Sequence, residues 1–295
     1  MALPGFQQQR IDVGEVSLSV HRAGRGAPLI LLHGYPQNHH CWALVAPGFA
    51  EHFDVIVPDL RGYGDSDAPP DTSDHLVYAK RTMAADIVGL MDALGISQAH
   101  ILGHDRGGRV AYRMALDHPD RVSRLGIIEI GTTADYWANW HAELAMKAYH
   151  WTFLAQPYPL PERMIGADPV AYVDWTLASW TGQGDLSAFP ETSLASYRAQ
   201  AQDPAKLHAM CADYRAGATI DRALDEADRS AGRQLAMPLQ FLAAEDGFPV
   251  KSGDPGKLWK AWAPNLSTAT CVSGHFIMEE NPHAVLDTFL PFFDA

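Results

Sequence analysis

Cysteine is scarce in this chain. There are three in 295 residues, Cys41, Cys211 and Cys271, far apart and without a CxxC pair. That excludes a disulfide framework and a thiolate zinc site, and it leaves free thiols suited to a reducing compartment. Positive charge is also short: Lys and Arg number 22 against 35 Asp and Glu, a net charge of −13. Nucleic acid and anionic membrane are therefore excluded as expected partners. A small anionic substrate stays open only if a local cluster of cations overcomes the global repulsion. No apolar run is long enough to span a bilayer. The first ten residues lack the basic start and apolar stretch of a signal peptide, so the expected location is cytoplasmic. Internal repeats and low-complexity tracts are absent.

What the sequence does contain suits one large α/β domain with an insertion. Residues 10–22 alternate like a hairpin, with Gly14 and Glu15 at the turn. A continuous apolar run at 28–32 and largely apolar ones at 54–58, 99–102, 124–130 and 237–242 read as strands of a buried parallel sheet. A helix is expected over 78–94, apolar at Met83, Ile87, Leu90, Met91 and Leu94 and ended by Gly95. From about Thr132 to Arg233 strand-like runs stop, and Trp, Tyr and His residues with helical spacing take over. The expected organisation is an α/β core at 1–131 and 234–295, a doubly wound and mostly parallel sheet, with a helical cap at 132–233.

The chain is organised around Gly103-His104-Asp105-Arg106-Gly107, which follows a short strand and opens a helix. Glycines on both sides permit a sharp strand-to-helix turn that presents the central side chain to a cleft. Asp105 holds the place usually taken by Ser. A carboxylate there attacks an sp³ carbon bearing a leaving group and forms an ester of its own side chain, which water then hydrolyses. The backbone N–H groups of Tyr35, after Gly34, and of Arg106 are placed to form an oxyanion hole. His33 reads as a structural hydrogen-bonding group.

In this architecture a base follows the last strand, and His275 alone among 14 histidines has that position. Glu129, odd in an apolar run, is the preferred partner to orient it, with Asp246 as the rival. Arg106 and Arg109 fall in the first turn of the elbow helix, where the helix dipole disfavours cations. Two guanidiniums beside the nucleophile could grip a substrate carboxylate and hold its neighbouring carbon against Asp105. This chemistry calls for no cofactor and no metal.

The segments HGYPQNHHCW, GHDRGGR, YHWTFLAQPYPLPE, LASWTGQGDLSAF, MCADYRAGA and SGHF together resemble the fluoroacetate dehalogenase family, Asp-nucleophile members of the α/β-hydrolase superfamily. The resemblance runs through nearly the whole chain and implies hydrolysis of small 2-haloacids. It implies Asp105 as nucleophile, His275 as base and Arg106 with Arg109 as carboxylate ligands. It further implies that His150, Trp151 and Tyr214 hold the departing halide, that Trp180 lines the pocket, and that the protein is a homodimer. One departure stands out, since the family usually carries Asp where this chain has Glu129. The competing enzyme reading is an epoxide hydrolase, with Tyr149 and Tyr214 as the ring-opening hydroxyls. A non-enzymatic small-molecule receptor would need neither Asp105 nor His275.

Overall fold

The computed structural model describes residues 3–245, 247, 249 and 255–295. An eight-stranded sheet runs in the order β1-β2-β4-β3-β5-β6-β7-β8. The first two strands, β1 (Gln7–Asp12) and β2 (Ser17–Gly24), form the expected hairpin. Val13 N–H donates to the Val16 carbonyl across its turn. β2 pairs antiparallel with β4 (Asp54–Pro58), and every later pairing is parallel. Those pairings join β3 (Pro28–Leu32), β5 (Ala99–His104), β6 (Val122–Ile128), β7 (Leu239–Ala244) and β8 (Leu266–Cys271).

The central strands are largely apolar because both of their faces are covered. Successive residues alternate between two cores: Ile30, Leu32, Ile101, Ile127 and Phe241 enter one. Leu29, Leu31, Leu102, Ile128 and Leu242 enter the other. The first core is closed by α2 (Lys80–Ala93) and α3 (Asp105–Asp117), through Met83, Ile87, Val110 and Met114. The second is closed by α1 (Ala46–Ala50) and the C-terminal helix Pro282–Asp294, through Phe49, Val285 and Phe289. The period of two in the strands against 3.6 in the helices is what lets each layer bury one side of the sheet. α2 stops two residues before Gly95, whose φ of +70° ends the turn.

Between β6 and β7 the regular elements among the described residues are helices. They comprise α4 (Thr133–Ala138), α5 (Ala142–Lys147), α6 (Tyr149–Leu154), α7 (Leu160–Gly166), α8 (Pro169–Trp180), α9 (Glu191–Gln202), α10 (Pro204–Ala218) and α11 (Ile220–Ser230). α11 lies along the body from one end of the sheet to the other. At its start Asp221 accepts the backbone N–H of Lys80, at the head of α2; beyond its end Arg233 donates to the carbonyl of Leu116, at the foot of α3. Among the described residues, no helix is long and apolar enough to cross a membrane.

Candidate active site

The turn from β5 into α3 is tight enough to require its glycines. A Cβ on Gly103 would stand 2.7 Å from the Gly107 carbonyl oxygen, and one on Gly107 would stand 2.3 Å from the carbonyl oxygens of His33 and Leu32. A Cβ on Gly34 would meet Asp105 Cβ at 2.4 Å. Asp105 itself sits at φ +47°, a left-handed conformation that a non-glycine residue adopts at a cost. The turn drives its side chain out between the ends of β3 and β5. There Tyr35 N–H donates to Oδ1 at 2.8 Å, and His275 Nε2 stands 3.9 Å from Oδ2. Burial alone would raise the Asp105 carboxyl, but His275, His104, Arg106 and the Tyr35 N–H outweigh it and hold the group below its usual value. The N–H of Arg106 follows directly in the first turn of α3.

His275 lies in the loop between β8 and the short helix Ile277–Glu280. Its N–H donates to the Trp180 carbonyl at 2.8 Å, and its own carbonyl pairs with His104 Nε2 at 2.9 Å. Burial pushes its imidazole below 6.5, against the opposing pull of Asp105 and Glu280. Glu129 comes just beyond β6 rather than within it, at φ +58°. Its Oε2 accepts the N–H of Ala244 at 2.7 Å, and its side chain lines the same cavity as Asp105 and His275. Asp246, the rival acid, lies outside the described residues.

The two arginines are buried, and their partners are not surface acids. Arg106 donates through Nε and Nη2 to the Asp213 carboxylate and through Nη2 to the Asp213 carbonyl at 2.7 Å. Its Nη1 has no partner among the described residues, and its guanidinium stacks over Tyr214 at 4.3 Å. Lys80 and Tyr63 also donate to Asp213, so this carboxylate is the fixed point of the group. Arg109 donates through Nη1 to the Gly131 carbonyl and to Thr133 Oγ1, both at 3.0 Å. It lies over Trp151 at 4.5 Å and lines the cavity. Arg106 is not among the cavity-lining residues, a difference in kind between two cations expected to act together.

The opposite wall comes from α6, α8 and α10. His150, Trp151 and Trp180 line a cavity of 760 Å³ with Asp105, Arg109 and His275. Tyr214 backs them, its ring 5.5 Å from His150 and 5.9 Å from Trp151. Tyr214 Oη and His150 Nδ1 are buried without a hydrogen-bond partner among the described residues. Burial pushes the His150 imidazole down to about 3 and the Tyr214 phenol well above 10, so both are neutral near pH 7. Tyr149 lines the outer part of the same cavity, with His141, Lys147 and Trp175.

His33 is a structural link, Nδ1 on the Gly34 carbonyl and Nε2 accepting from Leu60 N–H. Two further residues bear on the site without having been singled out in the sequence. Asp213 is visible there only as a carboxylate beside Tyr214, and nothing local pairs it with an arginine 107 positions away. Glu280, five residues after His275, looks like the ordinary acidic start of a helix.

The family described as alpha/beta hydrolase fold matches residues 27–282. A fluoroacetate dehalogenase from Burkholderia sp is 41% identical over 278 residues, 94% of this chain and 90% of that one. A soluble epoxide hydrolase from Corynebacterium sp. (strain C12) is 33% identical over 273 residues, 92% and 91% of the two chains. Among solved structures, the epoxide hydrolase CorEH without ligand superposes with a TM-score of 0.85 at 30% identity, covering 98% of this chain and 99% of that one.

Proposed function

The chain belongs to the α/β-hydrolase family, and within it we propose that the protein is a hydrolytic dehalogenase of small 2-haloacids, haloacetates included. The 41% identity to a fluoroacetate dehalogenase supports this reading. The observation that carries it is a buried guanidinium, Arg109, in one cavity with the Asp105 carboxylate. A cation there suits a substrate that brings its own carboxylate. We take residues 1–131 and 234–295 as the core, 132–233 as a cap closing over it, and the assembly as a homodimer.

Asp105 Oδ1 is held by Tyr35 N–H, which leaves Oδ2 to attack the carbon that bears the halogen. The carbon–halogen bond breaks, the halide leaves with the bonding pair, and Asp105 becomes an ester. Arg109, with Arg106 as the second cation, would hold the substrate carboxylate and keep that carbon in line. His150, Trp151 and Tyr214 would donate to the halide. Fluoride gives up strong hydration on leaving, and each replacement bond to an ion is worth roughly 1.5–3 kcal/mol. His275 then takes a proton from water, whose oxygen attacks the ester carbonyl. The negative charge falls on Oδ1, where the N–H groups of Tyr35 and Arg106 would receive it. Collapse expels the hydroxyacid oxygen, which takes the proton back from His275. Glu129 is assigned to orient His275.

The test is a single turnover in ¹⁸O-water with enzyme in excess. Label should enter the Asp105 carboxylate, and product should carry unlabelled oxygen; label in the product and none in Asp105 would refute the ester. Glu129→Ala should slow ester hydrolysis, and no change would move the orienting role to Asp246. An epoxide hydrolase is the second reading, favoured by the Tyr214 hydroxyl, which has no partner among the described residues, and by the 33% identical relative. That chemistry gives no use to the cavity cation Arg109. A panel of haloacetates, haloalkanes and epoxides separates the two readings.

A further inference from the structure

We propose that Glu280 is a positioning residue for His275, its carboxylate tying the loop that carries the imidazole to the end of α8. The proposal rests on His275 being the base of the reaction above.

The geometry is that of a clamp. Glu280 Oε2 accepts the N–H of Gly274 at 3.0 Å and the N–H of Gly182 at 2.7 Å. Oε1 accepts the N–H of Phe276 at 3.0 Å. One carboxylate thus binds the residues on both sides of His275 and the segment that follows α8. The N–H of His275 itself is fixed by the Trp180 carbonyl, two residues before Gly182. The backbones are in direct contact: a Cβ on Gly274 would lie 2.3 Å from Gly182 N and 2.7 Å from the Trp180 carbonyl oxygen. Trp180 meets His275 edge-on at 5.6 Å and His150 at 4.3 Å. Seating the helical segment and placing the imidazole are therefore one event. A carboxylate accepting three backbone N–H groups is a strong tie.

The clamp also puts a negative charge near the imidazole. The charged and titratable groups acting with His275 are Asp105 and Arg109 from α3, His104 from β5, His150 from α6, and Glu280. Asp105 is consumed when the ester forms. Glu280 then remains as a charge that favours the imidazolium.

The experiment compares wild type with Glu280→Gln. Halide release is followed in a stopped-flow burst and in steady state, and the His275 imidazole is titrated by NMR without substrate. The expected result is an unchanged burst, a steady-state rate lower by about tenfold to a hundredfold, and a His275 titration displaced to lower pH. A burst and steady state that fall together, or an unmoved His275 titration, would overturn the proposal. A purely structural role would lower the melting temperature and leave the ratio of the two steps intact. If Glu280→Gln does not fold, Gly182→Ala tests the clamp from the other side, because its methyl would stand 3.2 Å from Gly274 N and 3.4 Å from Glu280 Oε2. The same split between burst and steady state is expected, and its absence would overturn the proposal. A wild type that releases no halide from any haloacid would sink the dehalogenase reading, while the NMR titration would still decide the clamp.

Discussion

The sheet side and the helical side of the cavity hold their polar groups differently. On the sheet side one oxygen of each carboxylate is taken, Asp105 Oδ1 by Tyr35 N–H and Glu129 Oε2 by Ala244 N–H. On the helical side the Tyr214 hydroxyl and His150 Nδ1 are buried and unused among the described residues. Arg106 Nη1 and Arg109 Nε, at the seam, are likewise buried without a hydrogen-bond partner among the described residues. A buried polar group left unbonded costs about 1–3 kcal/mol. Sequences retain such groups where function, not folding, selects them. The sheet side is built to hold its own atoms still, and the helical side to receive atoms that arrive.

The comparison breaks most sharply at Arg109. Arg109→Leu removes the cation from the cavity, and haloacid turnover should fall by several kcal/mol of transition-state binding, on the order of a thousandfold or more. Equal turnover of neutral haloalkanes and haloacids by the unaltered protein would show that no carboxylate is read there. Next comes the halide wall. Tyr214→Phe and Trp151→Phe should lower fluoroacetate turnover by about tenfold more than chloroacetate turnover, because chloride needs less help to leave water. Equal losses on both substrates would take the halide away from that wall.

Smaller effects sharpen the contrast through stability. Tyr214→Phe deletes an unbonded hydroxyl and should stabilise the fold by about 1 kcal/mol while it harms turnover. Tyr112→Phe deletes a hydroxyl bonded to Asp225 at 2.8 Å and should destabilise by about 1–2 kcal/mol. Urea melts of the two variants decide this, and a loss in both would mean that the Tyr214 hydroxyl is satisfied. The smallest effect is a displacement in pH. Burial holds His275 below 6.5 while Asp105 pulls it up, and esterification cancels that pull. As pH falls the base is lost, so the acid limb of kcat, set by ester hydrolysis, should lie at lower pH than the His275 titration read by NMR in the substrate-free protein, and coincidence of the two would count against it.

The local parts of this site were legible in the sequence. Gly103, Gly107 and the strand before them specify the elbow by sterics alone, and the alternating cores explain why the parallel strands read as largely apolar runs. Glu129 was conspicuous as an acid in such a run, yet its left-handed backbone was not. The pairing of Arg106 with Asp213, and of Glu280 with Gly182, joins residues about a hundred positions apart. Only the packing of α10 on α3, and of the end of α8 on the loop after β8, creates them. In the acidic loop after β4, Asp59 is a structural hub, bonded to His39 and to Asp65 N–H.

The path of α11 has a bearing on how this scaffold could be recombined. β6 and β7 are parallel neighbours, so a chain that leaves the top of one must enter the bottom of the other. The helical segment is thus an overgrown crossover with α11 as its return stroke. A chimera that borrows another relative's pocket has its seams at the two ends of α4–α10, and must leave α11 with the recipient. Cutting at both strand ends would exchange that return helix too, and with it the ties to Lys80 and Leu116.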